Sequence, residues 1–462
     1  MTIQVRTRLQ ASRHRPSQYQ WAKSFCGDLL ALLIGLANCY TVKIGGDILL
    51  SEMILIPIIP VLLVVNRNRL KLRKRKFGVI LALALLWLLG QIATDIYRSS
   101  ALLDWIRGNA SIIFFILDMI SIAILLKGNV RRQLIFLFGL GIGYALIPRF
   151  QPDFGEVASF KFAYAWSIMY LATLISCYFY KRRQYAIVGL FFLACIGANL
   201  VFNYRSVILT LFITICLVLP VIPERIGRLR ILPPAQTQAR VFTIIGIALV
   251  AGALAGKGMS YLAGSGALGY EAQQKNQQQT MAGWGLLIGG RPEILVSSRA
   301  VMDSPILGHG SWAKDPKYIE MLAQIEAENG MQPSDEGEKF GGIIPAHSQL
   351  MGAWVLAGIL GAVFWIYLLI LTLKAIVRSA MLQLPTTPAY TLLLVKLTWD
   401  ILFSPFGGII RPTESFFIVI ICDLLDPDSK ISSTVVPMVQ RAQFQMRTRN
   451  LGRAPRRLSG SF

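Results

Sequence analysis

Charged residues are scarce in this sequence, and acidic residues are the scarcest of them. Only 15% of the 462 residues are charged, and Lys and Arg outnumber Asp and Glu by 46 to 24. Hydrophobic residues make up 54%, and the mean hydropathy is +0.55. A soluble globular chain of this length is less apolar, so the composition predicts an all-α, polytopic membrane protein.

Histidine and cysteine are also rare, with three and six copies. No cysteine falls in the one long hydrophilic segment, near residues 257–345, so no disulfide framework is expected. A GxGxxG phosphate loop on a strand, a P-loop, a HExxH, a CxxC pair and a GxSxG elbow are absent. These absences argue against nucleotide hydrolysis and zinc chemistry, and neither a metal nor a cofactor is expected.

The formal net charge of +22 would indicate a nucleic-acid partner in a soluble protein. Here the basic residues form short clusters between apolar runs, and no basic stripe is interleaved with aromatic residues. Membrane lipid headgroups and insertion topology account for such clusters, so no nucleic-acid partner is expected.

Apolar runs of membrane-spanning length recur along the chain and predict about twelve helices. They lie at residues 25–42, 48–65, 77–95, 109–126, 134–149, 161–180, 186–203, 206–222, 241–257, 346–373, 388–404 and 414–425. The stretch 186–222 can also be read as one segment interrupted near Arg205.

Basic clusters fall on alternate connections between these runs, at residues 67–76, 127–132, 181–183 and 225–240. The positive-inside rule places these connections and both termini in the cytoplasm. The predicted organisation is a basic cytoplasmic tail (1–24), helices 1–9 (25–257), a periplasmic loop or cap (258–345), helices 10–12 (346–425) and a second basic tail (426–462).

The hydrophilic insertion contains two helix signals. Proline and an acid follow Arg291, and Asp303-Ser-Pro follows a short apolar repeat, which predicts a helix between them. Its predicted apolar face carries Ile294, Leu295, Ser298, Val301 and Met302. A second helix is predicted from Asp315-Pro316 to about Glu328, and residues 326–342 are predicted to form a mobile loop.

Three residues at the predicted outer face could accept a proton or bind a phosphate. His347 opens a long apolar run, and a helix N-terminus there disfavours imidazolium and leaves a ring that can accept a proton. Arg205 lies between two apolar runs, and Arg291 begins the first cap helix. Either guanidinium can bind a phosphate through paired donors, or can serve only as a structural or headgroup contact. His347 can likewise be a histidine that only hydrogen-bonds the helix start.

Ionisable residues within the apolar runs are few. Lys396 and Asp400 are four residues apart on one helical face, and Asp118 lies in a separate run. An internal salt bridge between Lys396 and Asp400 is the favoured interpretation, and a proton or ion path is the alternative.

The insertion and its flanks carry an ordered set of motifs. Residues 291–310 read RPEILVSSRAVMDSPILGHG, and His347-Ser348 and Gly358-Ile-Leu-Gly361 follow. The order and spacing resemble the O-antigen ligase and O-antigen polymerase superfamily of bacterial membrane glycosyltransferases. That family has an arginine-led cap helix, a Pro-hydrophobic-Leu-Gly-x-Gly turn and a His-Asn or His-Ser pair. The resemblance covers roughly residues 186–373 by motif, and 327–342 match no motif.

The resemblance implies a GT-C-like fold in the bacterial inner membrane. Its activity would be transfer of a glycan from a polyprenyl-diphosphate carrier to an acceptor sugar hydroxyl on the periplasmic face, without a metal. Arg205 and Arg291 would hold the diphosphate, and His347 would activate the acceptor hydroxyl. Further candidates for contacts with the acceptor or the glycan are Arg299, His309 and Arg411.

Ligases and polymerases share these motifs, so the acceptor is either another carrier-linked repeat or a molecule such as lipid A core. Two other classes stay open. A transporter or flippase of a glycolipid would have inverted repeats and broken helices, and neither is evident. A purely structural membrane subunit would not need Arg205, Arg291 and His347 to converge.

Overall fold

The computed structural model describes residues 18–43, 46–65, 75–150, 159–202, 204–219, 225–226, 229–230, 238–266, 273, 291–328 and 341–426. This part of the chain is almost entirely helical, with two short antiparallel strand pairs. Outside it lie His14, the basic connection at 67–74, most of the 225–240 cluster, the predicted loop at 329–340, and residues 1–17 and 427–462 of the predicted tails.

The first part of the chain contains eight α-helices and one strand pair. Their bounds are α1 Gln18–Ala37, β1 Thr41–Lys43, β2 Asp47–Leu49, α2 Leu50–Val65, α3 Arg75–Arg98, α4 Leu102–Leu126, α5 Val130–Phe150, a π-helical turn Phe160–Tyr164 leading into α6 Ala165–Lys181, α7 Tyr185–Val201 and α8 Arg205–Val218.

The second part contains the remaining helices and the other strand pair. Their bounds are β3 Arg225–Ile226, β4 Leu229–Arg230, α9 Gln238–Gly264, α10 Glu293–Asp303, α11 Pro316–Glu328, α12 Gln349–Ala357, α13 Ile359–Leu382, α14 Thr387–Phe403 and α15 Ile410–Leu425.

Among the residues that the structure describes, five helices are long and apolar enough to cross a membrane, and these indicate a helical membrane protein. They comprise Lys76–Arg98, Leu102–Leu126, Val130–Phe150, Phe160–Lys181 and Ile359–Leu382. Large apolar side chains also remain on the outer surface of the bundle, for example Leu89 at 58% and Leu190 at 66% exposure. Lipid tails would cover such side chains, whereas water would not favour them.

The predicted apolar runs correspond closely to the helices, with one clear exception. The run at 346–373 was predicted as a single helix, and this is wrong, because the chain breaks at Gly358 between α12 and α13. The φ and ψ angles of Gly358 are 64° and −154°, a region that residues with a Cβ atom avoid. The described residues of the 186–222 stretch form two helices, α7 and α8, rather than one.

Small residues allow some helices to approach closely. A Cβ atom at Gly35 on α1 would lie 2.5 Å from the carbonyl oxygen of Phe136 on α5, and one at Gly139 would lie 2.5 Å from that of Leu32. Such contacts between small residues are typical of helix pairs in membranes. Helix α15 lies at the centre of the bundle, because every residue from Arg411 to Leu424 is buried.

Contacts gather several basic connections at one end of the bundle. Lys76 donates to the carbonyl of Leu425 at the end of α15, and Lys127 lies 3.4 Å from the Asp426 carboxylate. Arg132 contacts Asp28, in the middle of α1, at 3.1 Å. Two of the connections that alternation assigns to one side of the membrane, at 67–76 and 127–132, therefore meet at the end of α15.

The residues of the hydrophilic insertion pack at the opposite end. Both predicted helices are present, as α10 and α11, but the predicted apolar face of α10 is only partly right, because Val301 is buried while Ile294 and Leu295 are partly exposed. Ser298 is only partly buried and Met302 is 65% exposed. The buried positions are Val296, Ser297, Ala300 and Val301. The small Ser297 and Ala300 side chains sit in the face that packs against α11 and α12, which sequence periodicity could not show.

Candidate functional site

His347 lies directly before α12, on a segment fixed by its neighbour. Ser348 is the N-cap residue: its hydroxyl accepts from the Met351 amide at 3.2 Å and donates to the Ile401 carbonyl at 2.9 Å. The sequence predicted His347 in the first turn of a membrane helix, and it precedes the N-cap by one residue instead. The Ser348 contact holds the imidazole segment against the last turn of α14.

Arg291 lies against the same turn of α14. Its guanidinium carbon is 5.4 Å from the Trp399 ring centroid and 5.5 Å from that of Phe403. These aromatic faces can hold a guanidinium by cation–π attraction and leave its edge for other partners. The Nη1 atom of Arg291 is buried and has no hydrogen-bond partner among the described residues.

The charges of this site act on one another. Burial, and to a smaller extent the positive charge of Arg291, together lower the pKa of His347 to about 4. His347 is therefore neutral at physiological pH and can accept a proton. Burial lowers the pKa of Arg291, while Glu293, Tyr204 and Asp400 act in the opposite direction.

Arg205 is the first residue of α8 and is half-buried. The preceding residue, Tyr204, caps that helix and lies within electrostatic range of Arg291. The start of α8 and the start of α10 are thus on the same side of the site. A groove shared by the two guanidiniums stays a prediction.

An ion pair supports the site from within α14. Lys396 donates to Asp400, as the favoured interpretation predicted, and Ser404 donates to the other Asp400 oxygen at 3.0 Å. The Lys396 ammonium lies 4.4 Å from the Trp166 ring centroid. This pairing leaves neither buried charge without a partner.

Sequence reasoning missed Gln349 and Glu414, which are both fully buried. Gln349, two residues after His347, donates from its amide nitrogen to Glu414 on α15. The signal was an acid within a predicted apolar run, because such residues are rare and require a partner. The contact fixes the start of α12 against the central helix.

Arg411, a candidate for glycan contacts, makes a buried ion pair in the structure. Its Nε and Nη2 atoms donate to the two carboxylate oxygens of Glu52 at 2.6 and 2.8 Å. Nη2 also donates to the Asp47 carbonyl at 3.0 Å, and Nη1 donates to Ser111 at 3.3 Å. Arg411 is 3% exposed. Its donors are occupied, so the residue connects α2, α4 and α15 instead.

Arg299 and His309 make contacts within the insertion. Arg299 lies 3.1 Å from the Asp303 carboxylate, one helical turn along α10. The Nε2 atom of His309 lies 2.8 Å from the carbonyl oxygen of Ala300, and its ring packs edge-on against Tyr318. Both residues hold the end of α10 in place.

The turn at 306–310 binds directly to the break between α12 and α13. The His309 amide donates to the Val355 carbonyl at 2.7 Å and the Gly310 amide donates to that of Leu356 at 3.0 Å. In return the Ile359 amide donates to the Ile306 carbonyl at 3.1 Å. Two motifs about fifty residues apart in sequence therefore form one unit, which positions α10 above α12.

A buried acid missed by the sequence reasoning holds the same turn to α3. Asp95 accepts hydrogen bonds from the Ser311 amide at 2.6 Å and the Ser311 hydroxyl at 2.7 Å. Ser100 and Asn109 each donate to it at 2.8 Å. Arg98, one turn further, donates to the Gly308 carbonyl at 3.0 Å and Ser304 at 2.8 Å.

The fold and the site define a helical membrane protein with an arginine–histidine site at the end of the bundle that carries the insertion. No known protein family and no curated protein sequence matches the chain. No group of three or more His, Cys, Asp or Glu side chains placed to hold a metal ion occurs in the part of the chain that the structure describes.

Proposed function

We propose that this protein is an inner-membrane glycosyltransferase with about twelve spans and a periplasmic cap at residues 257–345. It moves a glycan from a polyprenyl-diphosphate carrier to an acceptor sugar hydroxyl, as an O-antigen ligase or as an O-antigen or exopolysaccharide polymerase. The observation that carries the proposal is that Arg291 and Ser348, the neighbour of His347, contact the same turn of α14, with Arg291 close enough to His347 to act on its charge.

Arg291 is suited to the diphosphate of the donor. A diphosphate leaving an anomeric carbon requires charge neutralisation, and a guanidinium of low solvent exposure supplies it more strongly than a hydrated cation does. The buried Nη1 atom lacks a hydrogen-bond partner among the described residues, so it can donate to a phosphate oxygen. Arg205, beside Tyr204, supplies the second guanidinium.

His347 is suited to accept the hydroxyl proton. The acceptor oxygen attacks the anomeric carbon, and the bond between that carbon and the bridging phosphate oxygen breaks. Its electron pair leaves with the diphosphate. The hydroxyl proton passes to the neutral His347 ring, which later releases it to water.

Donor binding makes His347 a stronger base. The positive charge of Arg291 contributes to the low pKa of His347. A bound diphosphate compensates that charge, so the pKa of His347 rises toward its ordinary value when the donor is present. The base therefore becomes more effective once a substrate is in place.

A transporter or flippase of a glycolipid is the alternative. Such a carrier uses unpaired ionisable groups along its path. The buried acids Glu52 and Asp400 are instead paired with Arg411 and Lys396. These two pairs serve helix packing. The buried acids Asp118 and Glu414 each keep a carboxylate oxygen without a hydrogen-bond partner among the described residues, so the transfer assay decides between the two classes.

The decisive experiment compares purified wild-type protein with a His347→Ala variant in lipid nanodiscs. We expect the variant to stay folded, since a partly buried ring contributes on the order of 1 kcal/mol, and to lose roughly 10²- to 10⁴-fold in transfer rate. Gln324→Ala, at an exposed position on α11, is the matched control and should retain its rate. A His347→Ala variant that transfers glycan at the wild-type rate overturns the proposed mechanism.

Deleting the gene distinguishes the two subclasses. Single repeat units that accumulate on the carrier identify a polymerase, and full-length carrier-linked polymer identifies a ligase. Unchanged polysaccharide and unchanged carrier-linked intermediates would exclude both.

A further inference from the structure

A polar pocket of about 240 Å³ lies on the opposite side of the 306–310 turn from α12. It is formed between the end of α3, the start of α4 and the segment that joins α10 to α11. The lining residues used below are Arg98, Asp104, Trp312, Lys314, Asp315 and Ile344.

Trp312 gives this pocket an aromatic wall. Its side chain is 42% exposed, and its φ angle of 52° is unusual for a residue with a large side chain. The hydrogen bonds of Ser311 to Asp95 hold the adjacent backbone and so maintain this conformation. The guanidinium of Arg107 lies 5.9 Å from the indole centroid. A strained, exposed indole at a pocket is a feature that function, rather than folding, explains.

The charges of the pocket cancel. Arg98 and Lys314 supply two positive charges, and Asp104 and Asp315 supply two negative ones. Lys314 lies 4.0 Å from Asp104, too far for a strong ion pair, so both keep capacity for other partners. Carboxylates and ammonium groups side by side suit the alternating donors and acceptors of sugar hydroxyls. The two acids weaken the attraction that the two cations would exert on a diphosphate.

The pocket is connected to the proposed catalytic residue by a short, fixed segment. The Ile344 amide donates to the Ala313 carbonyl at 2.9 Å, and residues 314 and 343 form a bridge. Ile344 precedes His347 by three residues, so their Cα atoms are at most about 11 Å apart. A short oligosaccharide covers that distance.

We propose that this pocket is a subsite for an uncharged segment of the glycan, with Trp312 as the stacking surface and Asp104 as a hydroxyl acceptor. The inference rests on the proposed function and adds the substrate class that the site holds beyond the reacting sugar. The glycan comes either from the carrier-linked donor or from the acceptor.

Saturation-transfer NMR on the full chain in nanodiscs tests the subsite. One probe is the oligosaccharide repeat released by mild acid from the surface polysaccharide of cells that carry the gene, and the other is the core oligosaccharide of their lipopolysaccharide. We expect at least one probe to bind, and Trp312→Ala to weaken it by about tenfold, since an aromatic face is lost. Trp312→Phe should restore most of the binding. Binding of the repeat alone identifies donor or polymer glycan, and binding of the core alone identifies the acceptor.

Tyr261→Ala is the matched control, because Tyr261 is an aromatic residue 78% exposed outside the pocket. If neither probe binds, or if Trp312→Ala binds as the wild type does, the subsite is overturned. The His347→Ala variant should bind whichever probe the wild type binds, with the same affinity. Wild-type transfer by His347→Ala together with Trp312-dependent binding would overturn the mechanism and leave the subsite in place.

Discussion

Gly358 and Ile306 are in direct backbone contact: a Cβ atom at position 358 would lie 1.9 Å from the Ile306 carbonyl oxygen. The Ile306 carbonyl is held in place, because it also accepts a hydrogen bond from the Ile359 amide. The contact therefore requires glycine and joins the insertion to the broken helix that begins after His347.

Gly358→Ala should destabilise this junction. The φ angle of 64° costs about 1–3 kcal/mol for a residue with a Cβ atom, and the contact with Ile306 adds to that cost. Transfer should fall with it, because His347 and α10 lose their common support. Gly352→Ala, on α12, is the control, since its Cβ atom would meet only Ala346 at 3.9 Å. Thermal unfolding in detergent measures the stability of the two variants. Equal melting temperatures for Gly358→Ala and Gly352→Ala would contradict the prediction.

Lysine should replace Arg291 poorly. An ammonium keeps the charge but loses the paired donors that match a diphosphate. We expect roughly a 10²-fold lower transfer rate for Arg291→Lys, and a loss in the same direction for Arg205→Lys. Arg182→Lys, at an exposed arginine on the α6–α7 connection, serves as the control. Full activity in both lysine variants would make the two arginines headgroup contacts.

The pH dependence of kcat/KM should have an unusually low acid limb. His347 has a pKa of about 4, so the neutral base persists as the pH falls from 7 and is lost only near that value. Arg291→Gln removes a positive charge, so the pKa of His347 should rise and the acid limb of the residual activity should move to higher pH. A limb near 6.5 in the wild type, or no movement in the variant, would contradict this.

The same shift has a consequence for stability. The folded pKa of His347 lies below its ordinary value of 6.5, so the unfolded chain binds this proton first as the pH falls. The stabilisation is fully present above about pH 6.5 and is lost between that value and about 4. The free energy of unfolding, measured above pH 6.5 and near pH 4, should therefore differ less between the two pH values in His347→Ala than in the wild type.

The ion pair of Arg411 and Glu52 should be needed for folding rather than for transfer. Arg411→Met leaves a buried carboxylate without its partner, at a cost of about 3–5 kcal/mol. Adding Glu52→Gln to that variant should recover much of the loss, because the amide is uncharged and can still accept the Leu49 amide. Urea unfolding in detergent separates these outcomes. If Arg411→Met is as stable as the wild type, the ion pair contributes little to stability.

The end of the bundle that carries α10 should face the periplasm. Met302 is 65% exposed there, so Met302→Cys in a Cys26→Ser background should react with an impermeant maleimide in intact cells whose outer membrane admits the reagent. Ser311 is buried, so a cysteine at that position would not react with the maleimide. Lys181→Cys, at the predicted cytoplasmic connection, should react only after the inner membrane is opened. The reverse pattern would invert the topology.

The sequence by itself determined most of the helices. Hydrophobic run length is a local property, and it placed α3, α5 and α6 within about four residues of their bounds and the end of α4 correctly, although α4 begins seven residues before the predicted run. Proline, acid and serine signals placed the ends of α10 and the start of α11 in the same way. The association of Lys396 with Asp400 was also predictable, since both lie on one face of one helix.

Only the tertiary structure decided which partner each polar or small residue meets. The buried face of α10 depends on α11 and α12, and the occupation of Arg411 depends on Glu52, which is distant in sequence. The helix break at Gly358 likewise requires the Ile306 carbonyl to lie beside it. These contacts depend on the packing of segments that are distant in sequence, so local sequence patterns do not predict them. The same holds for Arg291 and His347, whose proximity arises from a shared turn of α14.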